Sequence, residues 1–300
     1  MKFKKKKEEE VAPGLIGAAD AKRPIVKIGI AFMYAIVILI CVFCLFPPLW
    51  ILLSSFKDVK EFFSIPPTII PKTFHPEKLI EVWRQLDFFK YYANTFIMAF
   101  GDLAFCLIIN GLCGYVLSRL KPKGYKLIFA LILWSMMMPT STSMVPLFMT
   151  FLDFPGLGNL SNTYLPMWIM AGANPFNVLL FKSFFDSIPM PYIEAARIDG
   201  CTNLGIFAKI IMPLSKPIIM VVSIFSFTAS WDNFLWPYLV LKNTSLYTVS
   251  VKLFTMQSVS GISMDLQVVA ILFAIIPPAI LFIFFQKHIM AGFTLSGVKG

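Results

Sequence analysis

"YIEAARIDGCTNLGIFAKIIMP" occupies residues 192–213. It sets Glu194, Arg197 and Asp199 within six residues of one another, in a chain of which only 14% is charged. Pro189 and Pro191, just upstream, suit the first turn of a helix, where the missing N–H of proline is no loss. Glu194 then lies near the positive end of the helix dipole, and Ala195 and Ala196 are strong helix formers with almost no side chain. Gly200 is placed to end the helix in a left-handed turn. Thr202 caps a second helix, Asn203 to Met212, which Pro213 closes. The stretch therefore predicts a short stiff helix, a glycine corner and another helix. Its small residues let a second backbone come close and its few charges fix register, which are properties of a docking element. The other reading, helices lying on lipid headgroups, asks for a basic and aromatic amphipathic pattern that Glu194, Ala195, Ala196 and Gly200 do not supply.

The sequence around this loop is strongly apolar. Of the 300 residues, 58% are hydrophobic and 15% aromatic, and the mean hydropathy of +0.77 lies outside the range of soluble domains. An all-α integral membrane protein is expected. A helix crossing the hydrocarbon layer needs roughly 20 apolar residues. Six stretches qualify, at approximately Ile28 to Leu53, Asn94 to Leu117, Leu127 to Phe151, Asn162 to Phe181, Pro217 to Leu241 and Leu266 to Phe285. Barrel strands would alternate polar and apolar residues, and these stretches do not. The net charge of +10 sits largely in clusters flanking the apolar runs. That is how topology is written, so nucleic acid is not the expected partner.

Orientation follows from Lys and Arg placement. With the amino terminus inside, the inner segments hold 18 of them and the outer segments 8. Both termini are thus expected in the cytoplasm, with residues 182–217 forming a cytoplasmic loop and 54–93 an ordered outer loop. Residues 1–27, with Lys4 to Lys7 followed by Glu8 to Glu10, read as a disordered cytoplasmic leader, and residues 28–300 as the transmembrane domain. The first stretch is too long for a secretory signal and lacks a small-residue cleavage site, so it reads as an uncleaved anchor. Cys41 and Cys44 form a lone C-x-x-C in an apolar helix without a second ligand pair, and no metal site is expected.

Three ordered signatures resemble those of permease subunits of binding-protein-dependent ABC importers. The family pattern E-A-A, three residues, G, nine residues, I-x-L-P is matched by Glu194-Ala195-Ala196, Gly200 and Ile210 to Pro213, with Met212 in place of Leu. "SWDNFLWPYL", residues 230–239, resembles the W-N-x-F-x-W-P segment of the sugar-importing branch, with Asp232 where Asn is common. "GFTLSGVKG", residues 292–300, resembles the tail of the subunit similar to the second maltose-transporter permease. The resemblance implies a type I ABC importer transmembrane domain with a core at about 90–286 and a coupling loop at 182–217. It implies that Glu194, Ala195, Ala196, Asp199 and Gly200 seat in a cleft on an ATPase. The partners implied are a second permease, two ATP-binding cassette subunits and an extracytoplasmic sugar-binding protein, in a bacterial or archaeal cell membrane. The cargo implied is a di- or oligosaccharide. The chain has no G-x-x-x-x-G-K-[ST] phosphate loop, since Val298 follows Gly297 where Lys would stand, so ATP is expected on other chains and no cofactor on this one.

Polar groups in the apolar stretches carry two readings each. Asp232 interrupts an uncharged span and is expected to face the bundle interior. There it either bonds sugar hydroxyls together with Trp231, Asn233 and Trp236, or links helices. Asp102 reads as a capping or interhelical group ahead of a substrate contact. Thr294, Gly297 and Lys299 either reach the ATPase interface or belong to a frayed end. Pro47-Pro48, Pro139, Pro146 and Pro277-Pro278 are expected to kink their helices. Two rivals of other classes fit less well. A membrane enzyme would need a shared site, but His75 is expected outside and His288 inside. A stand-alone secondary transporter would show inverted repeats and more coupling carboxylates near the midplane.

Overall fold

The computed structural model describes the backbone of residues 24–257 and 262–297, and side chains over 24–256 and 262–286. Among the described residues the chain is helical, without strands. Helix α1 (Pro24–Ser54) begins four residues ahead of the expected span. It is followed by the short α2 (Val59–Phe62) and α3 (Glu77–Gln85) and by a long continuous helix, α4 (Phe88–Leu120). Then come α5 (Tyr125–Ser135), α6 (Thr140–Leu152), α7 (Leu165–Gly172), α8 (Pro175–Ser187) and α9 (Met190–Ile198). The chain continues with α10 (Asn203–Leu214), α11 (Lys216–Asp232), α12 (Leu235–Val240), α13 (Val249–Gln257) and α14 (Met264–Gly297).

Among the described residues, three helices are long and apolar enough to cross a membrane as single rods: α1, α4 and the Met264–Gln286 part of α14. The stretch expected from Leu127 to Phe151 is instead a pair, α5 and α6, bent by 107°. The stretch expected from Asn162 to Phe181 is divided into α7 and α8 at Ala173 and Asn174. Helices α10 and α11 meet at 83°, and α11 stops at Asp232 rather than running on to Leu241. Of the prolines expected to kink their helices, Pro139 does mark a break, as the N-cap of α6. Pro47, Pro48, Pro146, Pro277 and Pro278 lie inside continuous helices. Pro213 likewise fails to end α10, because a wide π turn over Phe207–Ile211 precedes it and the helix runs on to Leu214.

Helix α4 is the axis on which α7, α8 and α11 pack, and glycines set how closely α7 and α8 approach it. A Cβ on Gly101 would stand 2.1 Å from the Trp168 ring of α7, and one on Gly114 would stand 2.7 Å from Cβ of Phe181 on α8. Both sites need hydrogen where any side chain would collide. Trp168 Nε1 then donates to the Met98 carbonyl at 3.1 Å, which spends the one polar atom of a half-buried indole. The break between α7 and α8 is sutured by Asn110, which is fully buried. Its Nδ2 donates to the Ala171 carbonyl at 2.9 Å, and its Oδ1 accepts from the Asn174 amide at 3.2 Å. Backbone groups freed in an apolar bundle need such a partner.

Two apolar clusters close the ends of the bundle. At one end Val82, Phe88, Tyr91, Val249, Met256, Val269 and Ala270 join α3, α4, α13 and α14. Lys78 on α3 reinforces this end through the Asp265 carboxylate and the Lys57 carbonyl, the latter at 2.7 Å. The adjoining loop is ordered by Glu61, whose carboxylate accepts from the Lys72 amide at 3.0 Å, the Thr73 amide at 3.1 Å and the hydroxyls of Thr68 and Thr73. At the opposite end Tyr115, Phe181, Phe185, Ile193, Ile206, Phe207 and Ile211 form a second cluster beneath α9 and α10. Helix α1 stands apart and packs along α14; no residue of its most apolar window is buried within the chain.

Candidate functional site

Residues 188–205 form a projecting corner whose local geometry follows from sequence. Ile188 and Pro189 are extended, with ψ of 128° and 136°, and send the chain out of α8 into α9 with Pro191 in its first turn. Gly200 has φ of +78°, the left-handed conformation expected of it. A Cβ there would meet nothing within 4 Å, so backbone conformation and not space demands glycine. Thr202 caps α10, its Oγ1 accepting from the Gly205 amide at 3.1 Å.

The two faces of α9 differ sharply. Ile193 and Ala196, three residues apart and so on one face, are buried in the cluster with Phe185, Ile206 and Ile211. Glu194, Ala195, Arg197, Ile198 and Asp199 are exposed. Ala196 was expected on the docking surface; at 4% exposure it lies instead underneath, its methyl group packed into the core cluster. Ile198 replaces it on the outer face, 87% exposed, with Tyr192 and Leu204 also presented. Burying such apolar groups against a partner is favourable by about 1.5–3 kcal/mol for each side chain fully covered.

A polar latch fastens this corner to the end of α4. The Arg119 guanidinium donates to the carbonyls of Phe185 and Ile188 and contacts Sδ of Met190 at 2.9 Å. Ser118 Oγ donates to Asp186 Oδ1 at 2.6 Å, and Lys182 Nζ bonds Asp186 Oδ2 at 2.7 Å. Burial works to raise the Asp186 carboxyl, but these two donors outweigh it and hold it below the usual carboxylate range. Sequence reasoning counted Arg119 only as an orientation charge. The available signal was a single guanidinium closing the apolar run "GLCGYVLSRL", residues 111–120.

The second constellation lies where α11 ends. Trp231 is buried, its Nε1 donating to the Ala274 carbonyl at 3.1 Å and its ring packed on Tyr92, Phe96 and Phe227. Asp232, expected in the bundle interior, is exposed on the chain's surface, because the turn that buries Trp231 points the next side chain away. Asn233 Oδ1 accepts from the Trp236 amide at 3.4 Å across the helix break, and Trp236 packs edge-on against Phe151. Asp102 is the carboxylate that is buried here, at 5% exposure, with no hydrogen-bond partner for Oδ1 among the described residues. Thr294 and Gly297 belong to the last turns of α14, where side chains are not described, and Lys299 lies outside the described residues.

Residues 110–294, which contain the α9 corner, the 231–236 segment and Thr294, match the family described as the binding-protein-dependent transport system inner membrane component. The chain belongs to that family. The permease is 32% identical over 279 residues to the arabinooligosaccharides transport system permease protein AraQ of Halalkalibacterium halodurans, covering 92% of this chain and 96% of that one. It is also 32% identical over 277 residues to the galactooligosaccharides transport system permease protein GanQ of Bacillus subtilis, covering 91% and 96%. Its fold is similar to a chain of a bacterial ABC transporter involved in the import of the acidic polysaccharide alginate, with a TM-score of 0.77, 22% identity, and coverage of 88% of the permease and 98% of that chain. The permease is thus a multi-pass membrane protein with an importer-type fold.

Proposed function

We propose that this permease moves a di- or oligosaccharide into the cytoplasm, driven by ATP hydrolysis on separate subunits, and that it has no catalytic site of its own. Family membership and the oligosaccharide transporters among its relatives support the cargo class. The observation that carries the mechanism is the α9 corner: a stiff projecting knob whose inner face is locked into the bundle core and whose outer face is unsatisfied. In this reading two ATP-binding cassette subunits grip the cytoplasmic ends of this permease and of a second one. Glu194, Ala195, Asp199 and Gly200 sit at the contact, and Ala196 supports it from beneath. A knob that cannot deform transmits rotation instead of absorbing it. An extracytoplasmic sugar-binding protein delivers the cargo at the opposite end. Asp232, Asn233 and Trp236 flank the path and Trp231 braces it. The tail at Thr294, Gly297 and Lys299 reaches toward the ATPases.

The test is reconstitution of the assembled importer in proteoliposomes with its binding protein. Glu194→Ala and Gly200→Leu are expected to leave the chain inserted while separating ATP hydrolysis from sugar uptake. Uptake by both variants at the parental rate overturns the reading. Uptake by the isolated chain along an ion gradient, without ATP, would favour a secondary transporter instead.

A further inference from the structure

We propose that Arg119 is a positioning residue for energy coupling: by clasping the α8–α9 corner it makes α4 and the docking helix move as one body. The proposal rests on the reading of α9 as the ATPase-docking helix, and it adds the part that carries the motion inward from there.

The corner cannot hold itself. A helix leaves its last carbonyls unpaired, and between Ser187 and Met190 the chain is extended through Pro189, which has no N–H to give. The Phe185 carbonyl has one backbone donor, the Ile188 amide at 3.2 Å, and the Ile188 carbonyl lies beyond the helix end. Arg119 supplies donors to both from a single planar group, and its other terminal nitrogen reaches Met190, the first residue of α9. One side chain of α4 thus touches the last turn of α8, the linker and the first turn of α9. Arg119 has no ion pair among the described residues. Its two terminal nitrogens are committed to neutral acceptors, which suits a clasp rather than a charge sensor.

Two sequence features bring Arg119 within reach. Gly114 lets α4 close on α8 until a Cβ would lie 3.0 Å from the Lys182 backbone nitrogen. Two residues later α4 widens into a π turn, Val116–Leu120, and then stops at Lys121, whose φ is 45°. The wide turn presents Ser118 and Arg119 together to the end of α8, where Ser118 engages Asp186.

The experiment uses the complete importer in proteoliposomes and compares the parent, Arg119→Met, Arg119→Lys and Gly200→Leu. Sugar moved per ATP hydrolysed and hydrogen exchange over residues 186–200 are recorded. For Arg119→Met the ratio is expected to fall about tenfold, in the range of ordinary coupling energies, with ATPase activity retained and exchange accelerated in that segment alone. Arg119→Lys, which keeps the charge but loses the fork, is expected to recover part of the ratio and keeps the test alive should Arg119→Met fail to assemble. A parental ratio in the assembled Arg119 variants overturns the proposal, as does a parallel loss of uptake and hydrolysis with a lower melting temperature. If Gly200→Leu uncouples and the Arg119 variants do not, the clasp alone is wrong. If neither uncouples, the docking reading of α9 fails first.

Discussion

A single carboxamide on α4 holds both edges of the break in the α7–α8 rod. Asn110→Leu strips partners from the Ala171 carbonyl and the Asn174 amide at once, in an apolar and partly buried setting. Each buried group left unpaired costs about 1–3 kcal/mol, so a lower melting temperature of the purified permease in detergent is the expected result. Gly114→Val should cost at least as much, since α4 and α8 must part to admit a Cβ 2.7 Å from Cβ of Phe181. A melting temperature equal to the parent's would contradict either argument. Legibility in sequence divides along the same line. Gly200, Thr202, Pro189 and Pro191 act on neighbours within a turn of chain, so their roles can be read locally. Asn110 and Arg119 act on partners 61 to 71 positions away, which no pattern along the chain marks.

Among elements, the loop between α1 and α3 is organised by one acid. Burial works to raise the Glu61 carboxyl, but the bonds from the Lys72 amide, the Thr73 amide and hydroxyl and the Thr68 hydroxyl prevail and hold it below the usual carboxylate range. A carboxyl lowered on folding contributes order that is present above its unfolded value and is lost as pH falls through the folded one. Protection of the Lys72 and Thr73 amides, corrected for the intrinsic pH dependence of exchange, should therefore decline in acid below the ordinary carboxylate range. Glu61→Gln should show the weaker protection already at neutral pH. The same scale explains where expectation and structure part. Apolar length locates a span but not its interruptions. Breaks fall where a neighbouring side chain or a cap takes over freed backbone groups, as Asn110 and Asn233 do, while several prolines ride inside intact helices.

For the molecule as a whole, the Lys and Arg asymmetry makes a claim that labelling can check. In right-side-out vesicles and a cysteine-free background, a membrane-impermeant thiol reagent should modify Lys60→Cys and leave Glu194→Cys untouched until the membrane is permeabilised. The reverse result would invert the topology. Helix α1, bare on nearly every side, leaves its apolar surface uncovered by the rest of the described chain.

Helix α4 touches every level of the bundle. Asn94 and Thr95 bond the loop around Ser245 to Val249 near one end, Asn110 sutures the middle, and Arg119 clasps the α8–α9 corner at the other. At roughly 1.5 Å per residue this rod is about 50 Å long, so tilting it by about 10° around its centre would swing its two tips some 4 Å in opposite senses. A see-saw of that kind cannot carry both ends the same way: an opening made at one tip would accompany a closing at the other.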